Sequence, residues 1–340
     1  MHIRRRRASV LRRGTALLVA AAALGAVGVS AADAVRPQTR FRATAAVAPA
    51  PTPTVGRQLG IAMPGVPGDV TSLRALRALS ASLGRSPDLV MWYAAWSDRT
   101  AFPATQAAQV AATGATPVVT WEPWDPANGV DQPTYALSRI TAGRHDAYIS
   151  SWARQVRSYG RPLVIRFGHE MNGSWYPWSA QANGNTPADY VAAFRHVRAV
   201  FVKAGATNVA WSWSPNVPYD GSVPLAQVYP GDVHVDRVAL DGYNWSTLQP
   251  ASGWQSFWDV MDEGVAQVTA LTDEPLFIGE TASPEAGGDK AAWISGLFAT
   301  LDAHPEIRGF TWFHFDKETD WRIDSSAASL DAFRAGLATY

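Results

Sequence analysis

The chain has 340 residues, with 29 Lys and Arg against 29 Asp and Glu, and it contains no cysteine. The lack of cysteine excludes disulfide frameworks, cysteine-ligated zinc and thiol catalysis. Because 47% of the residues are apolar and only 17% are charged, the chain is neither disordered nor a nucleic-acid binder driven by a basic field. Its 15 Trp residues exceed what a core needs and indicate a ligand with apolar faces, such as a sugar.

The first 34 residues are typical of a signal peptide. Arginines at positions 4–7, 12 and 13 precede an apolar stretch at 15–29, and small residues offer cleavage after Ala34 or Ala31. Cleavage after Ala34 removes six Arg and one Asp, which leaves 23 basic and 28 acidic residues. We therefore expect a secreted protein whose negative charge argues against nucleic acid or an anionic membrane as partner. A membrane anchor is the alternative, although the apolar stretch is short for a span.

Residues 35–56 are rich in Pro, Ala and Thr and lack hydrophobic periodicity, which is typical of a linker. Residues 57–340 contain no further low-complexity segment, so they are predicted to form one domain. This length is typical of an α/β barrel. We expect the mature protein to be a monomer without a membrane span.

Eight short apolar or aromatic runs alternate with helix-like stretches that include 70–83, 147–159, 187–204, 254–271 and 290–304. The predicted strands are 58–64, 89–96, 117–124, 163–170, 209–216, 238–245, 276–281 and 309–316. This alternation predicts parallel strands in βα units, and eight units predict an α/β fold of the (β/α)₈ TIM-barrel type. A doubly wound sheet is the alternative, but neither of its glycine-rich phosphate motifs occurs.

The carboxyl ends of the predicted strands are polar and aromatic. In a barrel this edge carries the functional loops. Ten of the 15 Trp fall at or just after these ends, and they predict a Trp-lined cleft for a glycan. They are Trp92, Trp96, Trp121, Trp124, Trp175, Trp178, Trp211, Trp213, Trp245 and Trp312.

Two glutamates follow apolar runs on predicted strands four and seven: Glu170 ends PLVIRFGHE and Glu280 ends PLFIGE. Two carboxylates flanking a cleft are the minimum machinery for glycoside hydrolysis, because one must donate a proton and the other must attack the anomeric carbon. A zinc helix is not indicated, since Gly173 stands where H-E-x-x-H needs its second histidine. No G-x-S-x-G elbow is present. We expect neither a metal nor a cofactor.

The segment RFGHEMNGSWYPWS at 166–179 resembles the acid/base segment of glycoside hydrolase family 26. DGYNW at 241–245 and PLFIGETAS at 275–283 are similar to that family's strand-six and strand-seven segments. The resemblance implies a (β/α)₈ barrel and a retaining double displacement. It also implies that Glu170 is the acid/base and Glu280 the nucleophile.

The same resemblance implies roles for residues around the two glutamates. Tyr243 would donate a hydrogen bond to the nucleophile, and His169 and Arg166 would support the acid/base. Trp175 and Trp312 would contact the sugars beside the scissile bond. Further residues expected to bind substrate or support the site are Asn172, Trp178, Trp124, Asn216 and Trp245.

The family that the chain resembles includes endo-β-1,4-mannanases, mixed-linkage β-glucanases and β-1,3-xylanases. Mannan is the first expectation, with the other two polymers as alternatives, since TWEPW at 120–124 and the segment 315–326 indicate a branch apart from the best-studied mannanases. The candidates for reading sugar hydroxyls are Glu122, Asp316, Lys317 and Trp321. The rival functions are a non-catalytic carbohydrate-binding barrel and an enzyme that acts on the producer's own envelope polysaccharide.

Overall fold

The computed structural model describes residues 56–65, 70–249 and 252–340. Eight parallel strands close into a barrel in which β1 to β8 follow one another and β8 pairs with β1. This arrangement confirms the predicted (β/α)₈ barrel. The predicted signal peptide, and the predicted linker up to residue 55, lie outside the described residues.

The strands are β1 (Gln58–Ala62), β2 (Leu89–Ala95), β3 (Thr116–Glu122), β4 (Leu163–Phe167), β5 (Val209–Trp213), β6 (Arg237–Asp241), β7 (Leu276–Thr281) and β8 (Ile307–Phe313). The helices are α1 (Val70–Leu83), α2 (Ala104–Ala111), α3 (Leu137–Thr141), α4 (Asp146–Tyr159), α5 (Pro187–Ala204), α6 (Phe257–Leu271), α7 (Lys290–Ala303) and α8 (Ala327–Leu337). Two 3₁₀ turns, Leu225–Gln227 and Asp232–His234, replace a helix between β5 and β6. In the described part of the chain, no helix is long and apolar enough to cross a membrane.

The boundaries of the longest outer helix follow from its sequence. Thr186 caps α5 by accepting the backbone N–H of Asp189, whose carboxylate accepts the Thr186 N–H in return. Pro187 suits the first helical turn, where its missing N–H costs nothing. Gly205 ends the helix with a φ of +74°, a conformation that favours glycine.

The predicted fourth strand, 163–170, is shorter in the structure. It ends at Phe167, because Gly168 and Glu170 have φ values of +54° and +53°. These left-handed conformations interrupt a strand, and they turn the chain sharply at the barrel edge. The turn brings Glu170 onto the functional face instead of leaving it in the strand ladder.

Most of the tryptophans predicted at the functional edge lie elsewhere. Successive side chains of a barrel strand alternate between the interior and the helix layer. Trp121 therefore stacks on Trp152 of α4, with ring centroids 4.6 Å apart, and Trp312 packs against Trp293 and Phe333. The prediction of a cleft lined by ten Trp is wrong for the buried ones. These are Trp92, Trp96, Trp121, Trp178, Trp211, Trp213 and Trp312.

Candidate active site

A buried guanidinium, that of Arg166 on β4, lies at the centre of the site. Its Nε donates to Ser214 Oγ at 2.6 Å, and Nη1 donates to Thr120 Oγ1 at 3.1 Å. The guanidinium also forms ion pairs with Asp241 and Glu280. Because a buried charge is costly unless it is paired, these contacts fix the guanidinium and both carboxylates relative to one another.

The register of the strands places the partners of Arg166 close to its guanidinium. Thr120 pairs with Arg166 across β3 and β4, and Asp241 pairs with Glu280 across β6 and β7. Parallel strands in register bring their inward-facing side chains to the same level. The Arg166 network therefore joins inward-facing groups from opposite sides of one barrel layer.

Glu280 is buried and accepts three hydrogen bonds. Oε1 accepts from the Tyr93 hydroxyl at 2.8 Å and from Arg166, and Oε2 accepts from the Tyr243 hydroxyl. The Tyr243 contact is the one that the family resemblance implies. Since every neighbour donates, the surroundings suit an ionised carboxylate held in one orientation.

Glu170 is also buried, but it has few donors. Its backbone N–H donates to the Ser214 carbonyl at 2.6 Å, and its carboxyl accepts the Trp175 indole N–H at 2.8 Å. Burial and the nearby negative charge of Glu280 raise the pKa of Glu170 to about 7. Two carboxyl groups with such different surroundings suit opposite tasks, one as an acid and the other as a base or nucleophile.

A third carboxyl group, that of Glu122, ends β3 beside His169. The distance from His169 Nδ1 to Glu122 Oε1 is 4.0 Å. Burial raises the pKa of Glu122 to about 8, while burial and the charge of Arg166 lower the pKa of His169 well below its usual value. Both groups are therefore mainly uncharged near neutral pH, and their contact is not an ion pair. His169 also packs its ring against Tyr176, with centroids 4.8 Å apart.

Asn172 and Asn216 fasten the loop after β4 to the loop after β5. The Asn172 amide donates to the Asn216 carbonyl at 2.9 Å, and the Asn216 N–H donates to the Asn172 side-chain oxygen at 2.9 Å. Asn172 is fully buried. These residues therefore position two neighbouring loops, and Asn172 does not face a ligand.

The sequence was compared with models of known protein families. Residues 106–296, more than half of the chain, match the model of glycosyl hydrolase family 26. The matched segment contains both Glu170 and Glu280. The chain belongs to glycosyl hydrolase family 26.

Two curated proteins with different names are similar in sequence to this family 26 chain. Endoglucanase H of Acetivibrio thermocellus is 37% identical over 275 residues, which cover 79% of this chain and 29% of that protein. The mannan endo-1,4-beta-mannosidase A and B of Caldalkalibacillus mannanilyticus is 34% identical over 184 residues, which cover 53% of this chain and 32% of that protein. This chain therefore spans about a third of the length of either relative.

The fold has solved counterparts. The catalytic domain of the Bacillus sp. JAMB-750 GH26 endo-beta-1,4-mannanase superposes with a TM-score of 0.63 at 20% identity, covering 83% of this chain and 86% of that one. The Cellulomonas fimi endo-beta-1,4-mannanase superposes with a TM-score of 0.62 at 20% identity, covering 83% of this chain and 70% of that one. At this level of identity the likeness concerns the barrel alone.

One predicted sugar contact is wrong in this family 26 barrel. Trp312 has no exposed surface, because its position in β8 faces α7 and α8 instead of the interior. Its indole N–H donates to the Trp321 carbonyl at 2.9 Å. Trp312 therefore supports the loop after β8 and does not reach a sugar at the site.

Two other predicted tryptophans pack beside His169, next to Glu170. Trp178 is buried, stacks on Tyr176 with centroids 4.2 Å apart, and donates its indole N–H to the His169 carbonyl at 2.6 Å. Trp124 meets Trp178 edge to face at 5.5 Å and stays partly exposed. Trp178 therefore supports His169, while Trp124 offers surface to a ligand.

The loop after β8 carries the remaining candidates. Trp321 is buried and packs edge to face against the partly exposed Trp245, with centroids 5.4 Å apart. Asp316 and Lys317 are exposed, and Lys317 forms an ion pair with Glu318 at 2.7 Å. The structure thus keeps Trp245 and Lys317 accessible but removes Trp321 from direct ligand contact.

Sequence analysis did not select several residues that shape the site. Tyr93 and Asp241 lie at strand ends that were noted as polar and aromatic, so composition gave a weak signal for both. Ser214 sits just beyond β5 with no distinguishing motif. Lys290, the first residue of α7, is buried and donates to the Arg322 carbonyl at 2.7 Å and to Ser325 Oγ at 2.8 Å.

We expect Lys290→Met to lower the free energy of unfolding by about 2 kcal/mol, because the substitution leaves buried acceptors in the loop after β8 without their charged donor. Lys203→Met, at an exposed position of α5, serves as the matched control and changes stability by less than about 0.5 kcal/mol. Urea denaturation measures both. Equal losses in the two variants would show that the Lys290 contacts contribute nothing.

Proposed function

We propose that the chain is a secreted, retaining, endo-acting β-glycoside hydrolase in which Glu170 is the acid/base and Glu280 the nucleophile. The observation that carries the proposal is the contrast between the two carboxyl groups. Glu280 is surrounded by donors, including a guanidinium, whereas burial raises the pKa of Glu170 to about 7. The presence of both glutamates argues against a non-catalytic sugar-binding barrel.

In the first step, Glu280 attacks the anomeric carbon while Glu170 donates its proton to the leaving oxygen. The bond to that oxygen breaks, and a glycosyl ester forms on Glu280. In the second step, Glu170 takes a proton from water as the water oxygen attacks the anomeric carbon and releases Glu280. Two inversions leave the product with the configuration of the substrate.

The change of role by Glu170 follows from its electrostatic surroundings. The negative charge of Glu280 is one of the causes that raise the pKa of Glu170. Ester formation removes that charge, so the pKa of Glu170 falls during the lifetime of the intermediate. The same carboxyl group is thereby an acid in the first step and a base in the second.

We propose β-glucan as the substrate. The family resemblance placed mannan first, but the match to a protein named endoglucanase extends over 275 residues, against 184 residues for the named mannosidase. Because this chain spans only 29% of that endoglucanase, its name is support and not an assignment. β-1,4-Mannan is the second candidate, favoured by the C. mannanilyticus relative.

Product analysis on mixed-linkage β-glucan, β-mannan, β-1,3-xylan and cellulose tests this proposal. We expect oligosaccharides from mixed-linkage β-glucan, and none when Glu170→Gln or Glu280→Gln replaces the parent enzyme. Products from mannan alone would move the substrate to the second candidate. A parent enzyme that cleaves none of the four polymers would contradict the hydrolase assignment on this panel.

Secretion is the part of the proposal that rests on residues 1–34. N-terminal sequencing of protein recovered from the culture medium tests it. We expect a first residue of Val35 or Ala32, according to whether cleavage follows Ala34 or Ala31. Full-length protein retained with the cells would contradict secretion.

We expect kcat/KM to fall as the pH rises through about 7, because the free enzyme then loses the proton that Glu170 must donate. A pH profile of kcat/KM on the cleaved polymer measures this alkaline limb. Burial also raises the pKa of Glu122, to about 8, so Glu122→Gln is the informative control. The limb should persist in that variant, and its disappearance would assign the titration to Glu122.

A further inference from the structure

A buried ammonium group, that of Lys290, lies behind the loop after β8 and outside the site described above. Its Nζ donates to the Arg322 carbonyl at 2.7 Å, to Ser325 Oγ at 2.8 Å and to the Asp320 carbonyl at 3.4 Å. An ammonium group has three N–H donors and no acceptor, so these three oxygens use its full capacity for hydrogen bonds. All three belong to one short segment of the loop, residues 320–325.

Two side chains at the end of β8 hold the same loop segment. The Trp312 indole N–H donates to the Trp321 carbonyl at 2.9 Å, and the Ile323 N–H donates to His314 Nδ1 at 3.1 Å. Side chains thereby bind a backbone group at each of four successive residues. Lys290 makes three of the five contacts that fix this segment.

The ring of Trp321 connects this segment to the candidate active site. It packs against the ring of Tyr243, with centroids 5.5 Å apart, and against that of Trp245 at 5.4 Å. The Tyr243 hydroxyl donates to Glu280 Oε2. Because protein interiors are close-packed, a displacement of the buried Trp321 ring shifts the Tyr243 ring, and with it the hydroxyl that contacts Glu280.

The charge of Lys290 is kept despite the cost of burying it. Burial lowers the pKa of Lys290 to about 8, so the group remains mainly charged at neutral pH. Ser325 Oγ, which accepts from Lys290, donates to Glu285 Oε1 at 2.6 Å, and a carboxylate thus balances the charge through one hydroxyl. An apolar side chain would avoid the desolvation cost, but it would leave the path of the loop backbone undefined.

We propose that Lys290 is a positioning residue for catalysis, whose ammonium holds the loop after β8 so that Trp321 keeps the Tyr243 hydroxyl on Glu280. The inference rests on the proposed function, because it takes Glu280 as the nucleophile. Lys290 does not touch the reacting atoms and acts through the Trp321 ring. Its loss therefore affects kcat more than KM, since the contact that moves is made to the nucleophile.

A double-mutant cycle between Lys290 and Trp321 tests this proposal. We expect Lys290→Met, which removes the ammonium, to lower kcat roughly three- to tenfold on the polysaccharide that the enzyme cleaves, with little change in KM. Trp321→Leu removes the ring that packs on Tyr243 and should lower kcat at least as much. The double variant should lose no more than Trp321→Leu alone, because Lys290 acts through that ring.

Ile294→Ala is the control for a general loss of stability. It truncates a buried apolar side chain of the same helix and should destabilise the protein at least as much as Lys290→Met, yet leave kcat as in the parent when all variants are assayed below their melting transitions. Ser325→Ala removes one of the three acceptors with less risk to folding and should lower kcat by a smaller factor.

Three results would overturn the positioning role. They are a parent-like kcat in Lys290→Met, an equal loss of kcat in Ile294→Ala, and a double variant whose loss is the product of the two single losses. Failure of the proposed function is distinguishable from these, because it would appear in the parent enzyme as the absence of turnover on every polymer of the panel.

Discussion

We expect Glu280→Ala to lower kcat by on the order of 10⁴-fold, to the background of the assay, because it removes the group that we propose as the nucleophile. The Arg166 guanidinium loses one of its two carboxylate partners but keeps Asp241. We therefore expect a folded protein whose unfolding free energy is lower by about 3 kcal/mol. Steady-state rates on the cleaved polymer and a thermal melt measure the two effects separately.

Azide distinguishes a missing nucleophile from general damage to the site. In Glu280→Ala, an azide ion can enter the space left by the carboxylate and attack the anomeric carbon while Glu170 still donates its proton. The expected product is a glycosyl azide of inverted, α configuration. Turnover of Glu280→Ala near the parent rate, or a β-azide from it, would remove Glu280 as the nucleophile.

Glu170→Ala lowers kcat by about 10²- to 10⁴-fold on a polysaccharide, whose sugar leaving group needs a proton. In an aryl glycoside the leaving group is an acidic phenol, which departs without that proton. The substitution therefore slows ester formation on Glu280 far less with the aryl glycoside than with the polysaccharide. The second step still lacks its base, and the intermediate accumulates. Single-turnover and steady-state kinetics on both substrates measure this difference.

Azide again separates the roles. In Glu170→Ala it should accelerate turnover by attacking the accumulated ester, and the product should be a glycosyl azide of retained, β configuration. Glu263→Gln, an exposed position on α6, is the matched control that leaves the rates unchanged. Equal losses of Glu170→Ala on the polysaccharide and the aryl glycoside would contradict its role as the acid.

The barrel was predictable because each strand is a short apolar run between helix-like stretches. The residues at which the strands end were not predictable, since aromatic and apolar residues continue into the loops. The fourth strand, for example, ends where Gly168 and Glu170 take positive φ values, and no sequence pattern gave that position. The second left-handed residue is the proposed acid/base itself, which agrees with the concentration of backbone strain at functional sites.

The aromatic cleft was overestimated for a different physical reason. A period of two along a strand separates two faces, but it does not say which face is the barrel interior. Trp121 and Thr120 are adjacent in β3, yet the tryptophan packs against α4 while the threonine accepts a hydrogen bond from Arg166. In the barrel layer of Thr120 and Arg166, a polar interior and an aromatic exterior reverse the usual expectation of an apolar barrel centre.

The chemistry of the site was partly readable from local motifs, whereas its polar network was not. His169, Glu170 and Trp175 lie within one short segment, so their proximity needed no knowledge of the fold. Tyr93, by contrast, is 187 residues from Glu280, to which it donates a hydrogen bond. Contacts over such separations depend on the closure of the barrel, and motif reading alone does not reveal them.

Covalent trapping tests the central claim most directly. The fluorine of a 2-deoxy-2-fluoro oligoglucoside slows both the formation and the hydrolysis of the glycosyl-enzyme. An activated leaving group restores the rate of formation only, so the glycosyl-enzyme persists. After digestion, mass spectrometry should find one sugar adduct, attached to Glu280 within the segment 276–281. An adduct on another residue, or no adduct on an enzyme that turns over its polymer, would contradict the account.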